Sequence, residues 1–323
     1  MILTVTPNPT IDRVLFVRDF AMQDMVRAEG ETVAPSGKGI DVSALLHAFG
    51  VETLALGLSA GLSGDMLAAL MDEIGAPYEF IPANGYTRVA ALITDKAQGR
   101  QSTIVAHTLT AEPAHLDRLL ALAEAKLPSC WGLVCAGSLP PGLPADAYPR
   151  LLALGKAHGA VTLLDSSGES LRNSVAALPD ILKINLSELA ALAPDAAALW
   201  RHRAEQAEVV DDAGRLADAL APCIGVWAAQ ALIITLGKQG ALAITPEGRW
   251  YVPALDAPVV SPAGAGDAVS AGLMMARFQG KDWREALALG TAMAAAVVGN
   301  PGTCECYPHQ VEAFMPLVQS VEV

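Results

Sequence analysis

The sequence predicts an α/β fold, with a mostly parallel central sheet, helices on both of its faces and a small β-sheet lid. Strand-like apolar runs alternate with amphipathic helical patterns along nearly all of the 323 residues, the rhythm of βα units. Composition agrees, because 52% of residues are hydrophobic while aromatics make up only 5%. Ala, Leu and Val dominate, as buried parallel strands and close-packed helices require. Residues 12–33 and 86–107 break the rhythm: they alternate in the β manner and lack a crossover helix of their own. These two segments predict the lid, inserted into a single domain spanning residues 1–323.

Taken in order, Met1–Thr6 reads as the first strand, and Lys38–Phe49 as a helix that follows a Gly turn and is closed by Gly50. Thr53–Ala60 is a strand, Gly64–Ile74 a helix ending at Gly75, and residues 112–127 a further helix. Gly132–Ala136 and Val161–Asp165 are strands on either side of an Ala145–His158 helix. Ile181–Ile184 is a strand leading to a helix from Ser187, and residues 194–218, charged and irregular, predict a surface helical excursion. Ala231–Thr235 is a strand, Ala241–Thr245 with Arg249–Pro253 a hairpin, and Ala268–Phe278 and Trp283–Val298 the last helices. Gly, Pro and acidic residues set these boundaries.

Composition also excludes function classes. Gly, Pro or charge interrupts every apolar run before it reaches the length of a membrane span. Met1-Ile2-Leu3-Thr4-Val5 has no basic n-region and reads as a first strand, not a signal peptide. Five scattered cysteines, odd in number, lead to the expectation of a reduced, cytoplasmic protein. Cys304-Glu305-Cys306 has no second Cys/His pair of matching spacing to complete a metal site. A net charge of −13 argues against nucleic acid as partner. An anionic substrate would need a local cluster of Lys and Arg.

The chemistry concentrates in Pro262-Ala263-Gly264-Ala265-Gly266-Asp267, which opens the apolar run from Ala268. Glycines at 264 and 266 let backbone N–H groups converge at a helix N-terminus, where an anion is favoured. An acidic residue there suits a base that takes a proton from an attacking hydroxyl while the amides hold charge on a phosphoryl group. The alternative is a Gly-rich turn with Asp267 near an N-cap. No Walker A sequence is present; Thr235-Leu236-Gly237-Lys238-Gln239-Gly240 follows a strand and either wraps a nucleotide or turns tightly into the hairpin. Asn185 and Glu188, at a strand end and a helix start, suit Mg²⁺ through water or else form a helix cap. Asp12, Ser36-Gly37-Lys38-Gly39-Ile40-Asp41 and Gly137-Ser138-Leu139-Pro140-Pro141-Gly142 lie where an open α/β sheet binds ligands.

Together, TPNPxxD, SGKGxDV, GSLPPG, DSSGE, KxNxxEL, TLGxxGA and GAGD, in this order between residues 6 and 302, resemble the PfkB (ribokinase-like) sugar kinases. The chain is most similar to their phosphofructokinase, 1-phosphofructokinase and tagatose-6-phosphate kinase branch. The resemblance implies a ribokinase-like αβα sandwich whose lid often forms a homodimer clasp. It implies transfer of the ATP γ-phosphoryl group to a sugar hydroxyl with Mg²⁺. Asp267 then becomes the general base, with Gly264, Ala265 and Gly266 lining the anion hole. Asp12, Gly37, Lys38 and Asp41 would face the sugar. Lys183, Asn185, Thr235, Gly237 and Gly240 would serve the nucleotide, and Asn185 and Glu188 the Mg²⁺. Arg27, Arg88 and Ser138, with Lys38 nearby, match the positions that hold a substrate phosphate; without the resemblance, Arg27 and Arg88 read as exposed lid charges.

Three departures stand out. Ser36 and Asp41 replace the first glycine and the asparagine of the usual GGKGxN or GGGGxN. Gln101-Ser102-Thr103-Ile104 is neutral where an arginine is common, and Ile184 stands where proline is usual. An ionised aspartate cannot donate a hydrogen bond, so hydroxyl recognition must differ from that of the asparagine. The expected substrate is a ketohexose phosphate (fructose 1- or 6-phosphate or tagatose 6-phosphate). An unphosphorylated sugar or nucleoside is the alternative, and a catalytically silent sugar- or nucleotide-binding regulator the third reading.

Overall fold

The structure, a computed structural model, describes residues 1–21, 25–200 and 206–323. The predicted lid segment 12–33 and excursion 194–218 therefore include positions (22–24 and 201–205) outside the described residues. In chain order the strands are β1 (Ile2–Thr6), β2 (Thr10–Val17), β3 (Gly30–Ser36), β4 (Thr53–Ser59), β5 (Tyr78–Pro82), β6 (Asn84–Gly85), β7 (Arg88–Asp95) and β8 (Arg100–Ile104). They continue as β9 (Leu109–Thr110), β10 (Gly132–Ala136), β11 (Val161–Asp165), β12 (Ile181–Asn185), β13 (Ala231–Thr235), β14 (Ala241–Ile244), β15 (Arg249–Val252) and β16 (Val321–Glu322). The first helices are α1 (Lys38–Ala48), α2 (Gly61–Ile74), α3 (Pro113–Lys126), α4 (Ala147–Ala157), α5 (Gly168–Ser174) and α6 (Leu186–Leu192). After them come α7 (Pro194–Ala197), α8 (Gln206–Leu220), α9 (Ala265–Phe278), α10 (Trp283–Val298) and α11 (Pro308–Phe314).

A ten-stranded sheet runs in the order β16-β15-β14-β13-β12-β11-β10-β1-β4-β5. Its strands pair in parallel from β5 through β13, and the β14–β15 hairpin and β16 extend it antiparallel. Residues alternate between two cores, as the strand period demands. On β13, Leu232 and Ile234 face one layer of helices while Ile233 faces the other. The chain leaves β1 toward β4 on one side and later returns to β10 on the other. The crevice beyond the C-terminal ends at such a reversal is where open α/β sheets hold ligands.

The lid is a separate sheet in the order β3-β2-β7-β8, with β2 and β7 parallel. Val14, Phe16, Ala90 and Leu92 pack together on one face, with Ala263 from the Gly-rich turn against them. The lid thus rests on the segment that leads into α9.

Two differences from the sequence reading have plain physical causes. Helix α9 begins at Ala265, three residues before the predicted Ala268, because Gly264 takes a left-handed conformation (φ 83°) and its carbonyl accepts the Ala268 N–H at 2.9 Å. Asp267 is therefore inside the first turn. The excursion is not purely a surface one: on α8, Val209, Ala213, Leu216, Ala217 and Leu220 are buried. Their helical spacing gives an apolar stripe that the high charge of the segment obscures. Edge strand β5, flanked by prolines, went unassigned in the sequence. Among the described residues no helix is long and apolar enough to cross a membrane.

Candidate active site

The parallel register brings several chemically useful residues to one edge. Ala136 lies beside Asp165, and Asn185 beside Thr235, at the strand tips. Beyond them opens a cavity of about 810 Å³, lined by Lys38, Lys183, Asn185, Thr235, Gly237, Gly240 and the α9 start from Ala265 to Asp267. That volume suits a small organic ligand. Val259, Ala294, Ala295 and Val298 supply its apolar wall.

Helix α9 approaches α10 closely, which fixes where its N-terminus points. A Cβ on Gly272 would meet the Gly290 Cα at 2.5 Å. At the start of the helix, Ala268 N–H is bonded to Gly264, and Ala265 N–H makes a long 3.4 Å contact with Pro262. The Gly266 and Asp267 N–H groups have no backbone acceptor among the described residues, which suits an anion. The Asp267 carboxyl is pushed up to about 7, by burial first and by Asp165 and Asp12, against the opposing pull of Lys183 and Lys38. A base poised there can both accept and release a proton near neutral pH.

Asp165, fully buried at the tip of β11, organises the floor. Its carboxylate accepts Lys38 Nζ at 2.7 Å, Lys183 Nζ at 2.6 Å and the Ser270 hydroxyl at 3.1 Å. Burial works against its charge, but the two ammonium groups outweigh it and hold the carboxyl below its usual range. Lys38 also bonds Glu188 at 3.0 Å. Burial opposes the charge of Lys38, yet Asp165, Glu188 and Asp267 raise its pKa above that of a free lysine.

The predicted sugar-facing residues Asp12, Gly37, Asp41, Arg88 and Ser138 do not line this cavity; Asp41 adjoins it through Asp267, one carboxyl oxygen of each lying within 4.8 Å of the other. Asp12 accepts the Thr303 hydroxyl at 3.0 Å, and burial raises its pKa. Arg88 donates to the carbonyls of Asn8 at 2.6 Å and Pro9 at 3.4 Å, while the Asn8 amide donates to Ser138 Oγ at 3.2 Å. Asn8 therefore ties Arg88 to Ser138. Asp41 accepts from Ser36 Oγ at 3.1 Å and from Gly37 N–H at 3.3 Å. The two departures in the SGKGxD motif are thus partners of one another.

The structure gathers Asp267, Lys183, Asn185, Thr235, Gly237, Gly240 and Lys38 around one cavity. Lys38 spends its hydrogen bonds on Asp165 and Glu188, at the tip of β11 and the start of α6. Arg27 is exposed and takes no hydrogen bond or ion pair among the described residues. It lies beyond the Phe16–Gly30 pair, at the far end of the β2–β3 ribbon from Asp12. Asn185 and Glu188 form a capping box: Asn185 Oδ1 accepts Glu188 N–H at 2.9 Å, and Glu188 Oε2 accepts Asn185 N–H at 2.8 Å. Asp165, Asn8 and Thr303 were not singled out in the sequence. Asp165 and Asn8 carried a signal, as a carboxylate at a strand end and the amide of TPNP; Thr303, which reaches Asp12 from 291 positions away, carried none.

Comparisons with known proteins place the chain in a family. Residues 7–310 match the family described as pfkB family carbohydrate kinase. The chain is 28% identical over 316 residues to the ATP-dependent 6-phosphofructokinase isozyme 2 of Mycobacterium tuberculosis, covering 98% of this chain and 89% of that one. It is 31% identical over 308 residues to the 1-phosphofructokinase of Rhodobacter capsulatus, covering 93% and 91%. Among solved structures, a possible 1-phosphofructokinase from Thermotoga maritima superposes with a TM-score of 0.86 at 24% identity, covering 100% of this chain and 99% of that one. The phosphofructokinase-2 of Escherichia coli does so with a TM-score of 0.82 at 23% identity, covering 98% of each. Fold, motif order and cavity converge, and the chain belongs to the pfkB family of carbohydrate kinases.

Proposed function

We propose that this kinase transfers the γ-phosphoryl group of ATP to a hydroxyl of a ketohexose phosphate, namely fructose 1-phosphate, fructose 6-phosphate or tagatose 6-phosphate. The observation that carries the reading is Asp267: a carboxyl pushed up to about 7, in the first turn of a helix whose leading N–H groups are free, at the wall of the cavity. ATP would lie along Thr235, Gly237 and Gly240, its purine against Val259, Ala294, Ala295 and Val298. Asp267 takes the proton of the attacking hydroxyl, and the Gly266 and Asp267 amides hold the charge on the transferring group. Lys183 and Lys38 add positive charge beside them. Catalysis then rests on positioning and charge stabilisation, and a closed lid excludes water. Arg88 and Ser138, joined through Asn8, are suited to the phosphate that the sugar already carries.

Mg²⁺ would neutralise charge on the ATP phosphates. Both Glu188 oxygens and the Asn185 amide oxygen already accept hydrogen bonds. These residues therefore fit the ion only through intervening water.

The relatives support this reading, being named 6-phosphofructokinase and 1-phosphofructokinase. A second reading, an unphosphorylated acceptor, is favoured by the exposed position of Arg27 and by the neutral stretch at 101–104. The test is ADP release with Mg-ATP across the three phosphosugars, free fructose, ribose and a nucleoside. Turnover confined to a phosphosugar supports the first reading; turnover only with neutral acceptors selects the second. Binding of sugar and ATP with no ADP release from any acceptor would make the chain a silent regulator instead. We further infer a homodimer through the lid, where Val89 and Ile104 are 47% and 63% exposed; sedimentation of the wild type beside an Ile104→Lys variant tests it. With five free thiols and ATP as donor, the cytoplasm is the fitting location.

A further inference from the structure

The two ends of the site are charged differently. On the nucleotide side, Asp165 and Glu188 meet Lys38 and Lys183, two carboxylates against two ammonium groups. On the sugar side, Asp12, Asp41 and Asp267 converge, and the charge of Arg88 acts on Asp12. Asp41 and Asp267 are left facing each other. One carboxyl oxygen of each lies, together with Cys304 Sγ, within 4.8 Å of the others. Asp41 is only 4% exposed. Two carboxylates so close, one of them buried, ionise together only at a large cost, which favours a proton retained by the pair.

The surroundings decide which of them keeps it. Asp267 has Lys183 and Lys38 beside it, and both favour its ionised form. Asp41 has no such cation acting on it among the described residues. From α9 it meets Asp267, from β2 Asp12, and from the loop after α10 the Cys304 thiol, which burial and these acids keep neutral. The strands under α1 (β1, β4 and β10) carry no charged side chain. Lys38, on the same helix as Asp41, is committed to Asp165 and Glu188. The hydrogen bonds from Ser36 Oγ and Gly37 N–H both fall on Asp41 Oδ2, which leaves Oδ1 as the protonated oxygen.

We propose that Asp41 works as a neutral carboxylic acid whose Oδ1–H donates a hydrogen bond to an oxygen of the bound sugar, while Asp267 stays ionised to receive the proton of the attacking hydroxyl. The inference rests on the kinase reading above and names the recognition chemistry of its sugar end. A sugar fits when it presents an acceptor oxygen beside the hydroxyl that attacks. During transfer, the hydroxyl oxygen bonds to the γ-phosphorus and its proton passes to Asp267. The β–γ bridging bond breaks with its electron pair leaving on ADP, and Asp41 keeps its proton throughout. Burial, with Asp267 and Asp12 adding to it, raises the Asp41 carboxyl well above the usual range, consistent with this role.

The test is the pH dependence of kcat/KM for the wild type, Asp41→Asn and Asp41→Ala. Loss of the donor in Asp41→Ala lowers kcat/KM by about 5- to 100-fold. Asp41→Asn, which still carries a donor, recovers most of that loss and flattens the alkaline fall of the wild-type profile. If Asp41→Asn is as damaged as Asp41→Ala and keeps the alkaline limb unchanged, Asp41 acts as an ionised acceptor and the inference is overturned. Calorimetry of sugar binding to the wild type, in two alkaline buffers of different ionisation enthalpy, gives a second reading. Proton uptake on binding, absent in Asp41→Asn, supports the inference, and no uptake by the wild type overturns it. Because calorimetry needs no turnover, failure of every acceptor in the ADP assay would remove the kinase reading alone.

Discussion

At the tip of β11, Asp165 sits among Lys38, Lys183 and Ser270, with every charge in that floor answered by an opposite one. Across the same site, Asp12, Asp41 and Asp267 gather from β2, α1 and α9 with far less positive charge to meet them. The floor is a finished structure before any ligand binds, and its charges serve the fold as well as the chemistry. The acidic wall is unfinished, and its strain is relieved by retained protons and by whatever the sugar and nucleotide bring. A buried ion network rigidifies a site; a buried excess of like charge makes the site titratable and selective.

The sharpest way to break this contrast is Asp267→Asn. Removing the base lowers kcat by roughly 10²- to 10⁴-fold while ATP binding, measured by calorimetry, stays close to the wild type. Unchanged turnover would end the assignment of Asp267. On the compensated side, Asp165→Ala leaves the buried Lys183 ammonium without its carboxylate and Lys38 with Glu188 alone, and costs about 3–5 kcal/mol in a denaturant titration. Because the folded Asp165 carboxyl is held below its usual value, its stabilisation is present above the unfolded carboxylate range and is lost as pH falls through the lowered value. A wild-type denaturation curve for Asp165→Ala would mean that the floor is not structural.

Arg88→Ala sharpens the contrast from the sugar side. Loss of a charge-assisted contact raises KM for a phosphorylated sugar by about 10- to 100-fold. KM for an unphosphorylated sugar should hardly move. Equal losses for both acceptors would show that Arg88 acts by holding the Asn8 and Pro9 carbonyls rather than by binding phosphate.

Much of the fold was legible because βα units advertise themselves. Runs such as Ala231–Thr235 and the Gly stops after α1 and α2 are local signals, and they placed the strand tips on one edge. The glycines and carboxylate of 262–267 were legible for the same reason. Partnership across the chain was not. Asp165 looked like the last residue of a strand until Lys38, 127 positions away, was seen bonded to it. Ser36 and Asp41 read as two substitutions in one motif with no stated link between them, although their spacing on a turn and the first turn of a helix makes them partners. The Lys38 side chain could reach either wall from its backbone position, and only the packed structure shows that Asp165 and Glu188 claim it.

The unpaired carboxyls also leave a mark on stability. Asp41 and Asp267 have folded pKa values above their unfolded ones, so the folded state binds protons more tightly. The native state therefore loses stability as pH rises from about 4, the ordinary carboxylate value, through the raised value. Asp41→Asn removes the cost of keeping this buried carboxyl protonated as pH rises. It raises stability by about 1–2 kcal/mol at pH 8 and changes it little at pH 4, read from thermal unfolding at both values. A gain of equal size at both would assign the effect to packing instead of charge.

The smallest expected effect concerns the lid. Gln101, in the neutral stretch that departs from the family pattern, donates to Thr94 Oγ1 at 2.8 Å and to Ser261 Oγ at 3.1 Å. Ser261 is fully buried, and its hydroxyl accepts the Ala263 N–H at 3.4 Å, just ahead of Gly264. The amide thus connects the lid edge to the turn that leads to the Gly266 and Asp267 N–H groups. Where the resemblance expects an arginine, this chain places an amide that bonds the lid to Ser261. A neutral hydrogen bond contributes about 1 kcal/mol, so Gln101→Ala raises the sugar KM by about 5-fold with kcat nearly unchanged. A looser lid also admits water, so ATP hydrolysis without acceptor rises by a similar factor. Both quantities come from one ADP-release experiment, run with and without sugar. If KM rises alone, Gln101 orders the sugar side only; if neither moves, the latch is a static contact and closure depends on the apolar seat of Val14, Phe16, Ala90 and Leu92 against Ala263.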